Sequence, residues 1–312
     1  MEERIDITKG ADYFKLLYKF RSKLLAEPCN LYSAIAYGSV CRLEMIPEYS
    51  DVDILVIIND ESLSVDTSKV LNRLVSDLAN VNIKIHLRIR NLYDLERKTS
   101  GLFDCGVTSA INKLRDSIVL FGESLDQYYL AYLKSVTEEE ILTNLYFRFS
   151  DLRYQNRALL SIKTGGQNPQ LSDRYINYKA GCILTQLAEM ICYSKGLLFE
   201  NSHSAIINAG LLCDEKLFGL AESAKHGEME LDIARFVSRV DTIINNTVKS
   251  IDTLQLMDIL KISIQDHHTA EDDDFIVKWK GVICHTGFHP GSLIVKKADV
   301  QNGILTINRY CI

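Results

Sequence analysis

Proline and paired cysteines are scarce in this sequence. Only 4 of its 312 residues are proline and 16 are glycine, which leaves no room for long disordered linkers. Its eight cysteines are scattered, and none forms the C-x-x-C spacing of a zinc or redox pair. Several lie inside apolar runs, as buried thiols do. This distribution indicates reduced cysteines and therefore a cytoplasmic protein.

Long apolar runs and an excess of positive charge are also absent. No stretch approaches the ~18 apolar residues that cross a membrane. The first residues, M-E-E-R-I-D-I-T, are charged, so we expect no secretory leader. The net charge is −6 with a pI near 5.7, which argues against a general nucleic-acid binder.

Length and hydrophobic content favour a folded protein with more than one domain. Hydrophobic residues make up 47% and charged residues 24% of the chain, both ordinary for a soluble globular protein. A chain of 312 residues is long enough for two domains and a small appendage.

The most informative stretch is residues 34–60. It reads A-I-A-Y-G-S-V-C-R-L-E-M-I-P-E-Y-S-D-V-D-I-L-V-I-I-N-D. A first apolar run ends at Gly38 and Ser39, where a glycine turn would expose backbone N–H groups. Ser39 would cap a short helix that starts at Val40. Asp51 and Asp53 begin a second apolar run, and residues two apart on a strand point to the same side. Two carboxylates beside such a turn can hold a metal ion and a polyphosphate together.

This motif resembles the signature of the DNA polymerase beta-like nucleotidyltransferases, and most of all their minimal and antibiotic-modifying branch. The matching parts are the G-S of residues 38–39, eleven intervening residues and the D-V-D of residues 51–53, with Ser50 also fitting the pattern. The resemblance implies transfer of a nucleoside monophosphate from an NTP, with ATP favoured, to an acceptor. It also implies Mg²⁺ (or Mn²⁺) as the cofactor.

The resemblance assigns roles to individual residues. Gly38 and Ser39 would hold the phosphates of the NTP, with Arg42 within reach of the triphosphate. Asp51 and Asp53 would bind the metal ion, which polarises the α-phosphate and neutralises developing charge. A small hydroxylated molecule is the favoured acceptor, with a protein or tRNA still open, and it would bind between the two domains.

The third carboxylate of the family is missing from the strand where it is expected. Residues 81–89 alternate apolar and polar side chains, which predicts a strand. Its polar face carries Lys84, His86 and Arg88 where the resemblance implies a carboxylate. Three interpretations stay open: His86 acts as the base that activates the acceptor, a carboxylate from elsewhere replaces the missing one, or the site binds a nucleotide without transferring it.

A helical bundle is predicted to follow. The segment D-S-I-V-L-F-G-E of residues 116–123 resembles the close of minimal nucleotidyltransferase domains and suggests a boundary near residue 125. Helical periodicity then covers roughly residues 130–265, and its later helices are predicted at residues 201–212, 215–224, 228–248 and 253–264. Thr137 and Glu140 form a predicted capping box at the start of its first long helix.

Some helical residues are candidate contacts. By resemblance to the substrate-binding helical domains that follow such cores, Lys179 is a candidate for a triphosphate or base contact. Glu189 is a weaker candidate for a replacement base, since it is expected to be an exposed helix residue. The basic residues of the first long helix form a solvated face or meet the triphosphate, and they are Arg148, Arg153, Arg157 and Lys163.

The predicted fold class is α+β in three parts. A nucleotidyltransferase-like mixed sheet with flanking helices covers residues 1–125, and a helical substrate- and nucleotide-binding domain covers residues 126–270. A short C-terminal β meander, or strands added to another sheet, covers residues 271–312, with strands predicted at residues 275–283, 292–300 and 304–312. The alternative to an enzyme is a catalytically degenerate nucleotidyltransferase fold that senses a nucleotide or binds a partner. A homodimer stays open.

Overall fold

The chain folds as an α+β protein. A computed structural model describes residues 2–26, 30–42, 44–47, 49–59, 64–78, 83–96, 106–164, 173–197, 199, 201–229, 231–251, 295–301 and 304–309. These residues combine helices with a mixed sheet, which confirms the predicted α+β class. Among these described residues, no helix combines the length and the apolar character that are needed to cross a bilayer.

Contacts divide the chain into two compact units. One comprises Met1–Ser135 together with Ile264–Ile312, and the other comprises Val136–Ser263. The first unit contains the sheets and the second contains long helices.

A four-stranded mixed sheet forms the centre of the first unit. Its strands are β2 (Leu31–Tyr37), β3 (Val52–Ile58), β4 (Ile85–Asn91) and β5 (Ile118–Gly122). The spatial order is β4-β3-β2-β5, with β2 antiparallel to β3 and β5, and β3 parallel to β4. The strand expected at residues 81–89 begins later than its alternation suggested, at Ile85, and Ile83 and Lys84 precede it.

Two helices pack on one face of this sheet. They are α1 (Ile7–Ala26) and α2 (Val65–Leu78), whose apolar residues recur at spacings of three and four. Leu17 and Phe20 of α1 are buried in one cluster with Leu74 of α2 and the alternate residues Ile54 and Val56 of β3. Each such fully buried side chain contributes about 1.5–3 kcal/mol relative to an exposed one.

The other face of the sheet carries Tyr37 and Asp53, which are paired across β2 and β3. Shorter helices complete this unit: α3 (Leu92–Glu96), α4 (Gly106–Asp116) and α5 (Asp126–Ser135). The buried ammonium of Lys113 in α4 lies 5.1 Å from the centre of the Tyr37 ring and 5.9 Å from that of Tyr129 in α5. It also donates to Ser109 Oγ at 2.8 Å. These contacts join α4 and α5 to the face that carries Asp53.

A second, three-stranded antiparallel sheet brings the two chain ends together. Its strands are β1 (Glu2–Asp6), β6 (Val295–Gln301) and β7 (Ile304–Arg309), in the order β1-β7-β6. The sequence predicts the two C-terminal strands but not β1, because the charged residues of E-E-R-I-D conceal any alternation. The further strand predicted at residues 275–283 lies outside the described residues.

The described residues of the second unit are mainly helical. Its helices are α6 (Glu138–Thr164), α7 (Asp173–Ser194), α8 (Ser202–Ala209), α9 (Glu215–Phe218), α10 (Ala221–His226) and α11 (Ile233–Val248). A π-helical turn, Gly210–Asp214, links α8 to α9. Helix α7 packs against α6, α8 and α10, and α11 packs against α6.

Helix boundaries in this unit depart from the sequence periodicity in two places. The single helix expected over residues 215–224 is divided at Gly219 and Leu220, and the helix expected from residue 228 begins at Ile233. In the second case the Asp232 side chain caps the helix by accepting from the Arg235 N–H. This cap, and not the apolar spacing, sets the first residue of the helix. The helix expected over residues 253–264 lies outside the described residues.

Replacing Thr137 with Ala should destabilise the helical unit by about 1 kcal/mol. The Glu140 N–H donates to Thr137 Oγ1 at 3.2 Å and the Thr137 N–H donates to Glu140 Oε2 at 2.7 Å, which confirms the predicted capping box. Urea denaturation measures the effect. Thr242→Ala, at an exposed position of α11, is the matched control and should be neutral or slightly stabilising. Equal losses in both variants would contradict the capping role.

Candidate metal centre

The pairing of three strands brings the candidate site together. The antiparallel register of β2 and β3 sets Tyr37 opposite Asp53, so the turn that follows Tyr37 begins beside Asp53. The parallel register of β3 and β4 sets His86 beside Asp53 on the other side. Side chains of directly paired residues lie on the same face of a sheet. Asp53 therefore lies between the glycine turn and His86.

Asp51, Asp53 and His86 form a potential metal-binding group. One ligand atom from each residue lies within 4.8 Å of the others. His86 Nδ1 is 3.1 Å from Asp53 Oδ1, within hydrogen-bonding distance. Exposed fractions of 52% for the His86 side chain and 25% for that of Asp53 leave the group open to an ion from solvent.

Gly38 makes the closest approach to the Asp53 carboxylate. Its φ of +85° lies in the left-handed region that favours glycine. A Cβ at this position would lie 2.9 Å from Asp53 Oδ2, closer than real Cβ contacts allow. The structure therefore brings the predicted glycine turn and the predicted aspartate together, and a residue with a side chain would displace the carboxylate.

The segment after Gly38 is a turn and not the short capped helix that Ser39 suggested. The Arg42 N–H donates to the Gly38 carbonyl at 3.2 Å, and the Glu44 N–H donates to the Ser39 carbonyl at 2.9 Å. Ser39 is half-buried within this turn. These two bonds span four and five residues and therefore do not begin a regular helical ladder.

Arg42 is held by two carboxylates. Its Nε lies 2.8 Å from Glu44 Oε2 and one terminal nitrogen lies 3.9 Å from Asp116 Oδ2, with only 17% of the Arg42 side chain exposed. A triphosphate would therefore have to compete with Glu44 and Asp116 for this guanidinium. In the structure Arg42 fastens the turn to the end of α4, a role that its sequence position did not reveal.

The loop before Asp51 is held in place by hydrogen bonds to Ser50. Buried Ser50 accepts the Ile46 N–H through its Oγ at 2.8 Å, and the Ser50 carbonyl accepts the Tyr13 hydroxyl at 3.0 Å. These bonds hold the backbone that leads into β3. Ser50 of the motif thus positions the aspartates, and the contribution of Tyr13, 37 residues earlier, could not be read from local sequence.

Burial and like charge raise the pKa of Asp53 above its ordinary value. Desolvation is the larger cause and the nearby Asp51 carboxylate the second, while His86 and Arg88 oppose both by favouring the charged form. The buried thiol of Cys41, a residue of the turn, also has a raised pKa, owing first to burial and then to Asp116. Two carboxylates in a partly desolvated position are the arrangement that a divalent cation relieves, so the donor set fits a metal ion.

No third carboxylate completes the group among the residues that the structure describes. Ile85, Leu87 and Ile89 pack toward the core formed with α1 and α2, so the alternate residues His86 and Arg88 share the face of Asp53. The prediction that this strand has one apolar and one polar face is therefore confirmed. Lys84 precedes the strand and ties it to β3, since its carbonyl accepts the Val52 N–H at 2.8 Å.

The remaining candidates belong to the helical unit. Lys179 is exposed on α7, with its ammonium 5.5 Å from the ring centre of Tyr175 and 5.7 Å from that of Tyr178. Its proposed phosphate contact stays a prediction. Glu189 is half-buried and accepts from Ser202 Oγ at 3.0 Å, a structural bond between α7 and α8.

Part of the basic face of α6 is engaged by α11. Arg157 Nε donates to Asp241 Oδ2 at 2.8 Å, and Arg153 donates to Asn245 Oδ1 at 2.6 Å. Buried Asn156 adds bonds to the Val237 carbonyl and to Asp241 Oδ1, each at 3.0 Å. These contacts give Arg153 and Arg157 a packing role within the helical unit.

Comparison with protein-family models matched no family, and comparison with curated protein sequences matched no relative. Any proposal of function therefore rests on the sequence motif and on the geometry of the candidate metal centre.

Proposed function

We propose that this chain is a nucleotidyltransferase of the DNA polymerase beta-like type. It would transfer a nucleoside monophosphate from an NTP, with ATP favoured, to the hydroxyl of an acceptor. The observation that carries the proposal is the position of Asp53, which lies against the Gly38 turn on one side and within the Asp51, Asp53 and His86 group on the other. Scattered free cysteines support a cytoplasmic setting.

The sheet topology is compatible with this assignment. Both motif parts lie at one end of adjacent antiparallel strands, the G-S turn after β2 and the D-V-D at the start of β3. Helices α1 and α2 pack on the opposite face. A nucleotide on the Asp53 side would therefore be bound without disturbing the main core of the sheet.

Each part of the site has a chemical task in the proposal. Asp51 and Asp53 would hold a divalent cation, which supplies charge neutralisation at the transferring phosphate. Backbone N–H groups of the Gly38 and Ser39 turn would bind and orient the phosphate oxygens. Arg42, held by Glu44 and Asp116, keeps this turn in place. A small hydroxylated acceptor remains favoured, with protein or tRNA as the alternatives.

A second candidate is a nucleotide-sensing or partner-binding module. It is favoured by the side of the site where His86 lies within hydrogen-bonding distance of Asp53 and the Arg88 cation stabilises the Asp53 charge. Both side chains compete with a metal ion for the carboxylate. A protein of this kind would bind a nucleotide tightly and never release pyrophosphate.

Nucleotide turnover separates the two candidates. The full chain is incubated with each α-phosphate-labelled NTP, Mg²⁺ or Mn²⁺, and separate small-molecule, protein and tRNA acceptor fractions. The transferase account predicts label in one fraction and an equal amount of pyrophosphate, both lost in Asp53→Asn. Saturable NTP binding with neither product would establish the sensing module instead.

A further inference from the structure

The third ligand position of the metal centre is occupied by an imidazole. We propose that His86 coordinates the cation directly and makes the centre selective for first-row transition ions, Mn²⁺ included, over Mg²⁺. The inference rests on the proposed metal centre but not on nucleotidyl transfer. It gives the place of the missing carboxylate to a nitrogen ligand and assigns His86 to the metal ion instead of to the role of base.

The separation of the donor atoms supports coordination by His86. Neighbouring ligands around an octahedral ion with bonds of about 2.1 Å lie about 3.0 Å apart. His86 Nδ1 and Asp53 Oδ1 are separated by 3.1 Å, so both can bind one ion with little movement. One ligand atom from Asp51 lies within 4.8 Å of the ligand atoms of Asp53 and His86, so the third donor belongs to the same cluster.

The strand register fixes the position of His86 beside Asp53. His86 is paired with Asp53 in the parallel ladder between β3 and β4, and the ladder continues to the pair of Ile58 and Asn91. Because the neighbours Ile85 and Leu87 pack toward the core, the His86 side chain must lie on the carboxylate side. The His86 imidazole is therefore kept beside Asp53 by backbone pairing and by core packing.

The chemistry of the donors sets the expected selectivity. Mg²⁺ prefers an octahedral shell of oxygen atoms and binds imidazole poorly. Mn²⁺ accepts carboxylate and imidazole together, and affinity for nitrogen-containing sites rises along the first transition row from Mn²⁺ onward. When Nδ1 binds the ion, the neutral imidazole carries its proton on Nε2. His86 then has no lone pair left to act as a general base.

Metal titration without nucleotide tests this assignment. The full chain is titrated with MnCl₂ while the paramagnetic resonance signal of free Mn²⁺ is followed, and MgCl₂ is then added as the competitor. We expect wild type to bind Mn²⁺ at least about tenfold more tightly than Mg²⁺, and His86→Asn to lose about 10–100-fold in Mn²⁺ affinity. His203→Asn, an exposed histidine in the helical unit, is the matched control and should leave the titration unchanged.

The decisive variant is His86→Asp, which restores three carboxylates. Its ratio of Mn²⁺ to Mg²⁺ affinity should fall by about tenfold, chiefly because Mg²⁺ binding improves. We expect the variant to fold, because the His86 side chain is 52% exposed, and circular dichroism verifies this. An unchanged ratio in this variant, or no saturable Mn²⁺ binding by wild type, would overturn the inference.

The outcomes for ion selectivity and for function are separable. Mn²⁺ binding that depends on His86, in a protein that releases no pyrophosphate from any NTP, would refute the transferase alone. Nucleotidyl transfer with a metal preference insensitive to His86 would refute the inference alone.

Discussion

Replacing Asp53 with Asn is expected to abolish nucleotidyl transfer while the chain stays folded. The substitution keeps the side-chain shape but removes the negative charge between the Gly38 turn and His86. Single electrostatic groups of this kind contribute about 10²–10³ in rate, and a metal ligand should contribute at least as much. The measurement is pyrophosphate release under saturating metal and NTP.

The stability of Asp53→Asn should equal or slightly exceed that of wild type. Burial and the Asp51 carboxylate both disfavour the charged form of Asp53 and raise its pKa, so a neutral amide removes an unfavourable interaction. Urea denaturation without metal measures the free energy of unfolding. Asp66→Asn is the control, since the Asp66 side chain is 95% exposed and its ion pair with Lys69 lies on the surface, so the substitution should leave activity unchanged and lower stability by less than about 1 kcal/mol. Full activity in a folded Asp53→Asn protein would contradict the metal role.

Gly38→Ala should damage both stability and the metal centre. A φ of +85° costs a residue with a Cβ about 1–2 kcal/mol. The new methyl group would also lie 2.9 Å from Asp53 Oδ2, so the carboxylate must move. Misplacement of a catalytic group by about 1 Å can lower activity about 10²-fold. Urea denaturation and Mn²⁺ titration of the same sample measure the two effects.

Gly210→Ala provides the matched control for this substitution. Gly210 has a right-handed conformation with φ of −58°, and a Cβ there would meet its nearest atom at 3.4 Å, close to ordinary contact. Its replacement should be neutral or slightly stabilising and should leave metal binding unchanged. A Gly38→Ala protein that binds Mn²⁺ as wild type does would show that the turn is not coupled to Asp53.

Local sequence pattern was sufficient to predict the two strands that carry the motif and the face of the third strand on which His86 lies. The apolar run that stops before Gly38 corresponds to β2, and the apolar run that follows Asp53 corresponds to β3. Four to eight apolar residues bounded by turn signals favour a strand. The alternation around His86 placed it on a polar face. Which residue His86 faces is set by the parallel register with β3, a long-range pairing that local pattern does not specify.

Long-range contacts also explain what the sequence did not reveal. Arg42 reads as a phosphate ligand from its position, yet Asp116, 74 residues later, and Glu44 engage it. Tyr13 supports the loop before Asp51 from a helix whose periodicity indicates only a buried face. The N-terminal strand β1 depends on pairing with β7 at the other end of the chain, and its charged residues carry no strand pattern of their own.

A thermal-shift titration tests the nucleotide site most directly. Wild type and the double variant Asp51→Asn/Asp53→Asn are heated with each NTP, with and without Mn²⁺ or Mg²⁺. A ligand at 100 times its Kd stabilises the folded state by about 2.7 kcal/mol, which gives a readily measured rise in Tm. The account predicts a rise that requires an NTP, a metal ion and both aspartates. No rise with any NTP, or an equal rise in the double variant, would contradict it.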